Sequence, residues 1–179
     1  GGSGEQGLLT AACAQMLQFY DLPGGAAAGM ADSKMPDAQS GYEKGSTLVM
    51  AGLSGLNMVY EAAGMHASLL GFCLDSLIID NDMLGQCLRC VRGIEVNEST
   101  LGVQVMKDVC MGGLGHYLGH DQTITLMQPE YIYPEISDRS SPKEWEELGK
   151  PNLLDNARKR KEEILHNYHA NHISKELDA

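Results

Sequence analysis

The stretch Gly25-Ala26-Ala27-Ala28-Gly29-Met30 decides the fold class of this chain. A run of small apolar residues between glycines is typical of a buried parallel strand that its neighbours approach closely. A second apolar run, Asn57-Met58-Val59-Tyr60, indicates another buried strand. Between the two, Pro36 suits the first position of a helix that we predict from residue 37 to about residue 54. Strand, helix and strand in this order predict a parallel α/β sheet.

Helical periodicity continues on both sides of this unit. Apolar residues recur at helical spacing over residues 5–20, and again over residues 77–91, where we expect a break near Asp80. Asn97 suits the N-cap of the next helix, and the pair Gly112-Gly113 suits its end. Helices therefore alternate with the predicted strands, as a parallel sheet requires.

The C-terminal part of the chain has a different character. Tyr131-Ile132-Tyr133-Pro134 predicts an extended segment that proline limits. Ser141-Pro142-Lys143-Glu144 combines an N-cap serine, a proline at the first helical position and a glutamate three residues after the cap, which is a complete capping box. A final helix is predicted from about residue 152 to residue 168, and the polar stretch through Ala179 is expected to fray.

Too few strands are present to close a barrel, so the repeat predicts the last units of a larger fold. We expect residues 1–128 to form the C-terminal βα units of a TIM (β/α)₈ barrel. Residues 129–179 are expected to form an extended segment and a helical tail that pack on the barrel. The opening Gly1-Gly2-Ser3-Gly4, with no initiator methionine, agrees with an internal segment of a longer protein.

The charge of the chain argues against several classes of partner. Thirteen basic and twenty-four acidic side chains give a net charge of -11, which repels nucleic-acid backbones and anionic membranes. No apolar run approaches the about 20 residues that span a bilayer, so we expect a cytoplasmic protein. The basic cluster at residues 158–161 runs directly into Glu162 and Glu163, which favours a solvated helix face over a docking surface.

The sulfur-containing residues are interpreted as structural. Five cysteines without a scaffold spacing indicate free thiols in a reducing compartment. Cys87 and Cys90 form a C-x-x-C pair inside a predicted helix, but a structural zinc needs four ligands and no second pair is present. We therefore expect both thiols to be small buried hydrophobes, and the ten methionines to fill the core.

Candidate functional residues follow both predicted strands. In parallel α/β folds, functional side chains gather at the carboxyl ends of the strands. Asp32 and Lys34 follow the first strand, and Glu61 and His66 follow the second, so all four should surround one mouth. Such a set could perform acid–base chemistry or hold a cationic substrate. The alternative is that these loop carboxylates cap helices or bind water.

His116 and His120 are a second candidate pair. On a helix, a spacing of four residues places two imidazoles on one face, as in some metal sites. No acidic residue follows His116 as the zinc-protease motif requires, and glycines crowd the segment. Capping or a role in a substrate loop is therefore favoured over metal binding. The chain contains no phosphate-binding glycine loop and no nucleophile elbow.

Several motifs resemble those of the trimethylamine methyltransferase family, and they occur in the family's order. The most specific is Asp32-Ser33-Lys34-Met35-Pro36-Asp37-Ala38-Gln39-Ser40-Gly41-Tyr42-Glu43-Lys44. The other matching stretches are residues 14–23, 77–82, 92–96 and 133–149. Together the matches run from about residue 1 to about residue 165, which is nearly the whole chain.

The resemblance implies a TIM barrel whose N-terminal two-thirds lies outside this chain. It also implies a reaction, the transfer of a methyl group from a methylated amine to the cob(I)alamin of a separate corrinoid protein. The chain alone is expected to bind no cofactor or metal, and the protein is expected to be a homo-oligomer. Nucleophilic displacement at a methyl carbon needs placement in line more than acid–base help, so positioning should dominate.

The same resemblance suggests roles for individual residues, because carboxylates and aromatic faces can hold a cationic amine. Glu61, Asp32 and His66 are the candidate catalytic residues. The candidate substrate-binding residues are Tyr42, Tyr60, Lys34, Gln39, His116 and His120.

Departures from the family pattern refine the expected substrate. The trimethylamine branch carries pyrrolysine near the position of residues 26–30, whereas this chain has only standard amino acids there. A quaternary amine such as a betaine is therefore the expected donor, since it can lose a methyl group directly and leave a neutral tertiary amine. Relatives often carry histidine where this chain has Tyr60 or Glu61, and His-Thr where it has Gln122-Thr123. These changes leave open a non-catalytic binding module for methylated amines. The missing barrel units leave open a second alternative, an interaction piece that self-associates through exposed strand edges and apolar helix faces.

Overall fold

The computed structural model describes residues 1–168, 172–174 and 177. In chain order, the elements are α1 (Gly4–Phe19), β1 (Gly25–Ala27), α2 (Ala38–Leu53), β2 (Met58–Tyr60), β3 (Met65–His66), β4 (Gly71–Phe72), α3 (Leu74–Arg92), α4 (Glu98–Leu101), α5 (Val103–Cys110), α6 (Asp121–Glu130), α7 (Pro142–Glu147) and α8 (Leu153–Asn167). Among the described residues, no helix has the length and apolar character that crossing a membrane would require.

The first two strands form the predicted parallel pair. Gly25 lies opposite Met58 and Ala27 lies opposite Tyr60, and α2 connects the strands. Leu48 and Ala51 of α2 pack with Ala28 and with Cys87 of α3 as the buried apolar core. The parallel strand–helix–strand unit is therefore confirmed, although the first strand ends at Ala27 and not at residue 30.

The start of α2 differs from the expectation. Pro36 does not occupy the first helical position, because Asp37 is the N-cap and the helix begins at Ala38. The Asp37 carboxylate accepts a hydrogen bond from the Ser40 backbone N–H at 2.9 Å, which satisfies a donor that the helix leaves free. It also accepts from the Ser33 hydroxyl at 2.8 Å, so the cap ties the preceding loop to the helix.

A short hairpin after β2 was not predicted. Strands β3 and β4 pair antiparallel, with Met65 opposite Phe72 and His66 opposite Gly71. Helix α3 follows and is continuous, so the predicted break near Asp80 is wrong. The Asp80 side chain turns into the interior and contacts Lys44 at 2.7 Å, and for that reason this acidic residue does not interrupt the helix.

The predicted helix from Asn97 is present but divided. Asn97 caps α4 with a complete capping box, and Gly102, with φ of 64°, separates α4 from α5. A left-handed residue cannot continue a right-handed helix, and here a glycine supplies it. Helix α6 was not predicted, because Pro129 in its last turn and the preceding glycines weaken the sequence signal.

Helix α8 packs on α3. The capping box at Ser141 and Glu144 is confirmed, and α8 begins after its N-cap Asn152 as expected. The solvated face predicted for residues 158–161 is wrong in part, since Lys161 contacts Asp75 of α3 at 2.7 Å. The expected fraying toward Ala179 falls partly on residues 169–171, 175–176 and 178–179, which lie outside the described residues.

The sulfur-containing residues are less buried than predicted. Cys87 is buried, but Cys90 is exposed, because three residues advance a helix by less than a full turn. Met30 is buried, whereas the larger group of methionines has exposed side chains, namely Met16, Met35, Met58, Met106, Met111 and Met127. Core filling is therefore confirmed for only a minority of the methionines in the described part of the chain.

Candidate functional site

The loops that follow β1 and β2 lie side by side. Ala31 N–H donates to the Met65 carbonyl at 3.3 Å, Ala67 N–H to the Ser33 carbonyl at 3.0 Å, and Ser68 N–H to the Ala31 carbonyl at 3.1 Å. These three backbone hydrogen bonds join residues 31–33 to residues 65–68. The structure therefore brings the two predicted loops together at the carboxyl ends of the parallel strands.

Asp32 presents a partly exposed carboxylate in this region. Its Oδ1 accepts hydrogen bonds from the Ser68 hydroxyl and from the terminal ammonium of Gly1 at 2.9 Å. The Ser68 hydrogen bond first, and the ammonium second, hold the pKa of Asp32 below its ordinary value. Asp32 is consequently ionised at neutral pH.

Lys34 lies beside Asp32 but does not pair with its carboxylate. Its ammonium donates to the Asp32 backbone carbonyl at 2.7 Å, and its side chain is exposed. The loop therefore presents a negative and a positive group within two residues of each other.

Glu43 fixes the backbone of the same loop. This buried carboxylate accepts from the backbone N–H groups of Asp32 at 2.7 Å and Ser33 at 3.4 Å. Gln39, a predicted substrate-binding residue, donates its amide to Glu43 at 2.9 Å. Glu43 thus holds the backbone of the loop in place, and Gln39 stabilises Glu43 in this structure. Sequence analysis did not select Glu43 or Ser68; the position of Glu43 within the Gly41-Tyr42-Glu43-Lys44 motif was the available signal.

His66 lies beneath the loops and is only 3% exposed. Its Nδ1 is 3.1 Å from the Ser33 carbonyl oxygen, which can only accept, so Nδ1 carries the proton. Its Nε2 then accepts, with the Ser76 hydroxyl 2.5 Å away and the Lys44 ammonium 3.4 Å away. Burial first, and the positive charge of Lys44 second, lower the pKa of His66. The imidazole is therefore neutral and supports the loops from below.

Lys44 and Asp80 form a buried ion pair next to His66. Their side chains are 0% and 4% exposed, and Lys44 Nζ is 2.7 Å from Asp80 Oδ2. The same oxygen accepts from the Gly64 backbone N–H at 2.7 Å. A buried charge is tolerated only when it is paired and hydrogen-bonded, and this pair meets both conditions.

The remaining candidates at the strand ends differ in orientation. Glu61 is exposed and has a left-handed backbone with φ of 63°. Tyr60 directs its hydroxyl toward the Gly25 carbonyl at 3.5 Å, which is the opposite end of β1 from Asp32. Tyr42 lies on α2 with 65% of its surface exposed. Glu61 and Tyr42 are thus accessible to a ligand, whereas the Tyr60 hydroxyl is directed away from Asp32.

His116 and His120 lie in the segment between α5 and α6. His120 is the N-cap of α6, and its Nδ1 accepts from the Gln122 backbone N–H at 3.1 Å, so the capping interpretation is confirmed for this residue. His116 is exposed. Within the described part of the chain, no group of three or more His, Cys, Asp or Glu side chains could hold a metal ion.

Comparisons with known proteins cover the full chain. A family model described as trimethylamine methyltransferase (MTTB) matches residues 1–179. The trimethylamine methyltransferase MttB of Methanosarcina barkeri is 35% identical over 176 residues, which are 98% of this chain and 35% of that protein. The glycine betaine methyltransferase of Desulfitobacterium hafniense is 33% identical over 178 residues, which are 99% of this chain and 36% of that protein. The chain therefore spans about a third of the length of the curated relatives it matches.

Proposed function

This chain belongs to the trimethylamine methyltransferase family, and we propose that it forms part of an enzyme that demethylates a quaternary or tertiary methylated amine. The proposed methyl acceptor is the cob(I)alamin of a separate corrinoid protein, which supplies the cobalt nucleophile. The family membership and the names of the relatives support the substrate class. The C-terminal βα units of a TIM barrel remain the proposed architecture, and the parallel β1–β2 pair is consistent with them.

The observation that carries this proposal is the ionised carboxylate of Asp32 at the strand ends. Its side chain is partly exposed, so a cationic group of a ligand can approach it. Glu61 adds a second exposed carboxylate after β2, and Tyr42 offers an exposed aromatic face. Carboxylates and aromatic faces are the groups that hold methylated ammonium ions in proteins.

The charges of the loop favour a betaine over trimethylamine. A betaine carries a quaternary nitrogen and a carboxylate, and Asp32 and Lys34 present the complementary charges within one loop. Trimethylamine has no carboxylate for Lys34 to bind. The chain also contains only standard amino acids, which agrees with direct demethylation of a quaternary amine.

The proposed reaction needs orientation more than proton transfer. With a quaternary amine, displacement at the methyl carbon breaks the carbon–nitrogen bond, and the electron pair of that bond stays on the nitrogen of a neutral tertiary amine. No proton has to be added to this leaving group. The residues of this chain would therefore orient the amine so that one methyl group points to the acceptor in line, and the neutral, buried His66 need not act as an acid.

Methylation of a reduced corrinoid protein tests the proposal. The chain, expressed with its native flanking sequence, is mixed with cob(I)alamin protein and glycine betaine, and the loss of cob(I)alamin absorbance is followed. We expect Asp32→Asn to slow this change about tenfold or more, because it removes a charge that faces the cation. Asp21→Asn is the matched control, since Asp21 is an exposed carboxylate at the other end of β1 and should leave the rate unchanged.

Calorimetry with the same amines separates the main alternative. If glycine betaine and trimethylamine bind but neither is demethylated with any corrinoid protein offered, the proposed enzyme is wrong and a non-catalytic binding module is favoured. If neither amine binds, both functions are refuted.

A further inference from the structure

Four polar side chains form a closed cluster beneath the strand-end loops. As whole residues, Lys44 is 0% exposed, Ser76 1%, His66 3% and Asp80 3%. His66 Nε2 faces the Ser76 hydroxyl at 2.5 Å and the Lys44 ammonium at 3.4 Å, and that ammonium binds Asp80 at 2.7 Å. The cluster links helices α2 and α3 to strand β3.

The outward contacts of the cluster are made with loop backbone. His66 donates from Nδ1 to the Ser33 carbonyl at 3.1 Å, in the loop after β1. Asp80 accepts from the Gly64 N–H at 2.7 Å, in the loop after β2. Apolar residues could fill the same volume without the cost of burying charge, but they could not bind these two backbone groups. The cluster therefore acts on loop position.

The turn that follows His66 has an unusual backbone. Ala67, Ser68 and Leu69 are consecutive non-glycine residues with φ of 51°, 53° and 74°. Residues with a side chain rarely adopt this left-handed region, and they do so when surrounding structure imposes it. The turn directs the Ser68 hydroxyl to the Asp32 carboxylate.

We propose that Lys44, His66, Ser76 and Asp80 are positioning residues that hold the turn at residues 67–69, so that Ser68 orients the Asp32 carboxylate. The cluster fixes the residue before the turn and the Ser33 carbonyl, which also accepts from the Ala67 N–H at 3.0 Å. The cluster thus holds both the Ser33 loop and the turn after His66 from below. The consequence for methylamine binding rests on the function proposed above, whereas the effect on the turn does not.

Ser76→Ala tests the inference, because it removes the hydroxyl at His66 Nε2 without adding volume. The matched control is Ser54→Ala, which removes a hydroxyl that donates to the Ala51 carbonyl at 2.9 Å at the far end of α2. Amide hydrogen exchange is measured for Ala67 and Ser68, with Ala28 as the reference, whose N–H donates to the Tyr60 carbonyl at 3.3 Å. The pKa of the Asp32 carboxyl is followed by NMR in the same samples.

In Ser76→Ala we expect exchange at Ala67 and Ser68 to accelerate roughly tenfold relative to Ala28, the effect of one lost hydrogen bond. The pKa of Asp32 should rise toward its ordinary value, because Ser68 is no longer held against it. Ser54→Ala should change neither quantity. Equal acceleration at all three amides, or an unchanged pKa of Asp32, would show a merely structural role and overturn the inference.

Two further outcomes keep the test decisive. If Ser76→Ala does not fold, Ser76→Cys replaces it, since a thiol is a weaker donor of similar size, with the same expected directions and the same refuting result. If glycine betaine binds neither the parent nor the variant while the turn amides and the pKa of Asp32 respond, the positioning role stands and the proposed function fails.

Discussion

Replacement of Asp82 by asparagine should loosen the C-terminal segment from α3. The buried carboxylate of Asp82 accepts from the backbone N–H groups of Glu135 at 2.9 Å, Ile136 at 3.1 Å and Ser137 at 3.0 Å. It also accepts from the Ser137 hydroxyl at 2.9 Å. These four hydrogen bonds join one side chain of α3 to three consecutive residues that are more than fifty positions away in the chain.

The size of the effect follows from the groups that asparagine leaves unpaired. Its single carbonyl oxygen can replace Oδ2, but its amide would face the Glu135 N–H, donor against donor. The remaining hydrogen bonds lose the assistance of the negative charge. One unsatisfied buried donor costs about 1–3 kcal/mol, so the free energy of unfolding should fall by about 2–4 kcal/mol.

Urea unfolding measures this loss, with the fluorescence of the single tryptophan, Trp145, as the probe. Asp138→Asn is the control, because Asp138 is exposed and accepts hydrogen bonds from Ser140 in its own turn, so we expect a change within about 0.5 kcal/mol. A change of that small size in Asp82→Asn would refute the reasoning.

The pH dependence of the free energy of unfolding provides a second measurement on the parent chain and Asp82→Asn. Burial alone would raise the pKa of Asp82, but the three backbone N–H groups together bring it below the ordinary value of 3.8. A lowered pKa stabilises the fold above the unfolded value, and this contribution is lost as the pH falls from 3.8 toward the folded pKa. The difference between the parent and Asp82→Asn should therefore shrink below pH 3.8 and stay constant above about pH 5.

Three further predictions concern other parts of the fold. Gly29→Ala should lower the free energy of unfolding by about 2 kcal/mol or more, since Gly29 has φ of 83° and an added Cβ would lie 2.7 Å from the Ala62 carbonyl oxygen. Gly41→Ala is the control and should not lower the free energy of unfolding, because an added Cβ there would have nothing within 4 Å. Equal effects of the two substitutions in urea unfolding would contradict the prediction. Ser141→Ala should cost about 1 kcal/mol and increase amide exchange in α7; unchanged exchange there would show that the cap contributes nothing. Burial lowers the pKa of His66 below 6.5, so its contribution to stability is complete above pH 6.5 and is lost as the pH falls below that value. In urea unfolding between about pH 7.5 and 5.5, the free energy of unfolding of a His66→Asn variant should therefore no longer carry this dependence on pH. An unchanged pH dependence would refute the assignment of a lowered pKa to His66.

The strand–helix–strand unit could be predicted because its signals are local. Small apolar residues between glycines identified β1, and Pro36 indicated the start of α2. The end of β1 could not be predicted, because Gly29 turns the chain through a positive φ that any glycine can adopt but none must. The hairpin β3–β4 was missed for a related reason, since two-residue strands have no measurable alternation.

The location of the candidate site could be predicted, but the partners of its residues could not. Position after a parallel strand was enough to select Asp32 and His66. The burial of His66 depends on Ser76 and Asp80, which approach it only after α3 packs against α2. The role of Ser68 depends on a left-handed turn without glycine, and no sequence rule indicates such a turn.

Because of the contact between Gly1 and Asp32, a measured amine affinity depends on whether any residue precedes Gly1. In a chain that starts at Gly1, the terminal ammonium is a tethered competitor, and a tethered group acts at an effective concentration that can reach the millimolar range. A free amine must displace it, so its apparent dissociation constant is multiplied by one plus the ratio of that concentration to the competitor's own dissociation constant. When any residue precedes Gly1, the same nitrogen is a neutral amide, and the carboxylate of Asp32 becomes available to the amine without competition.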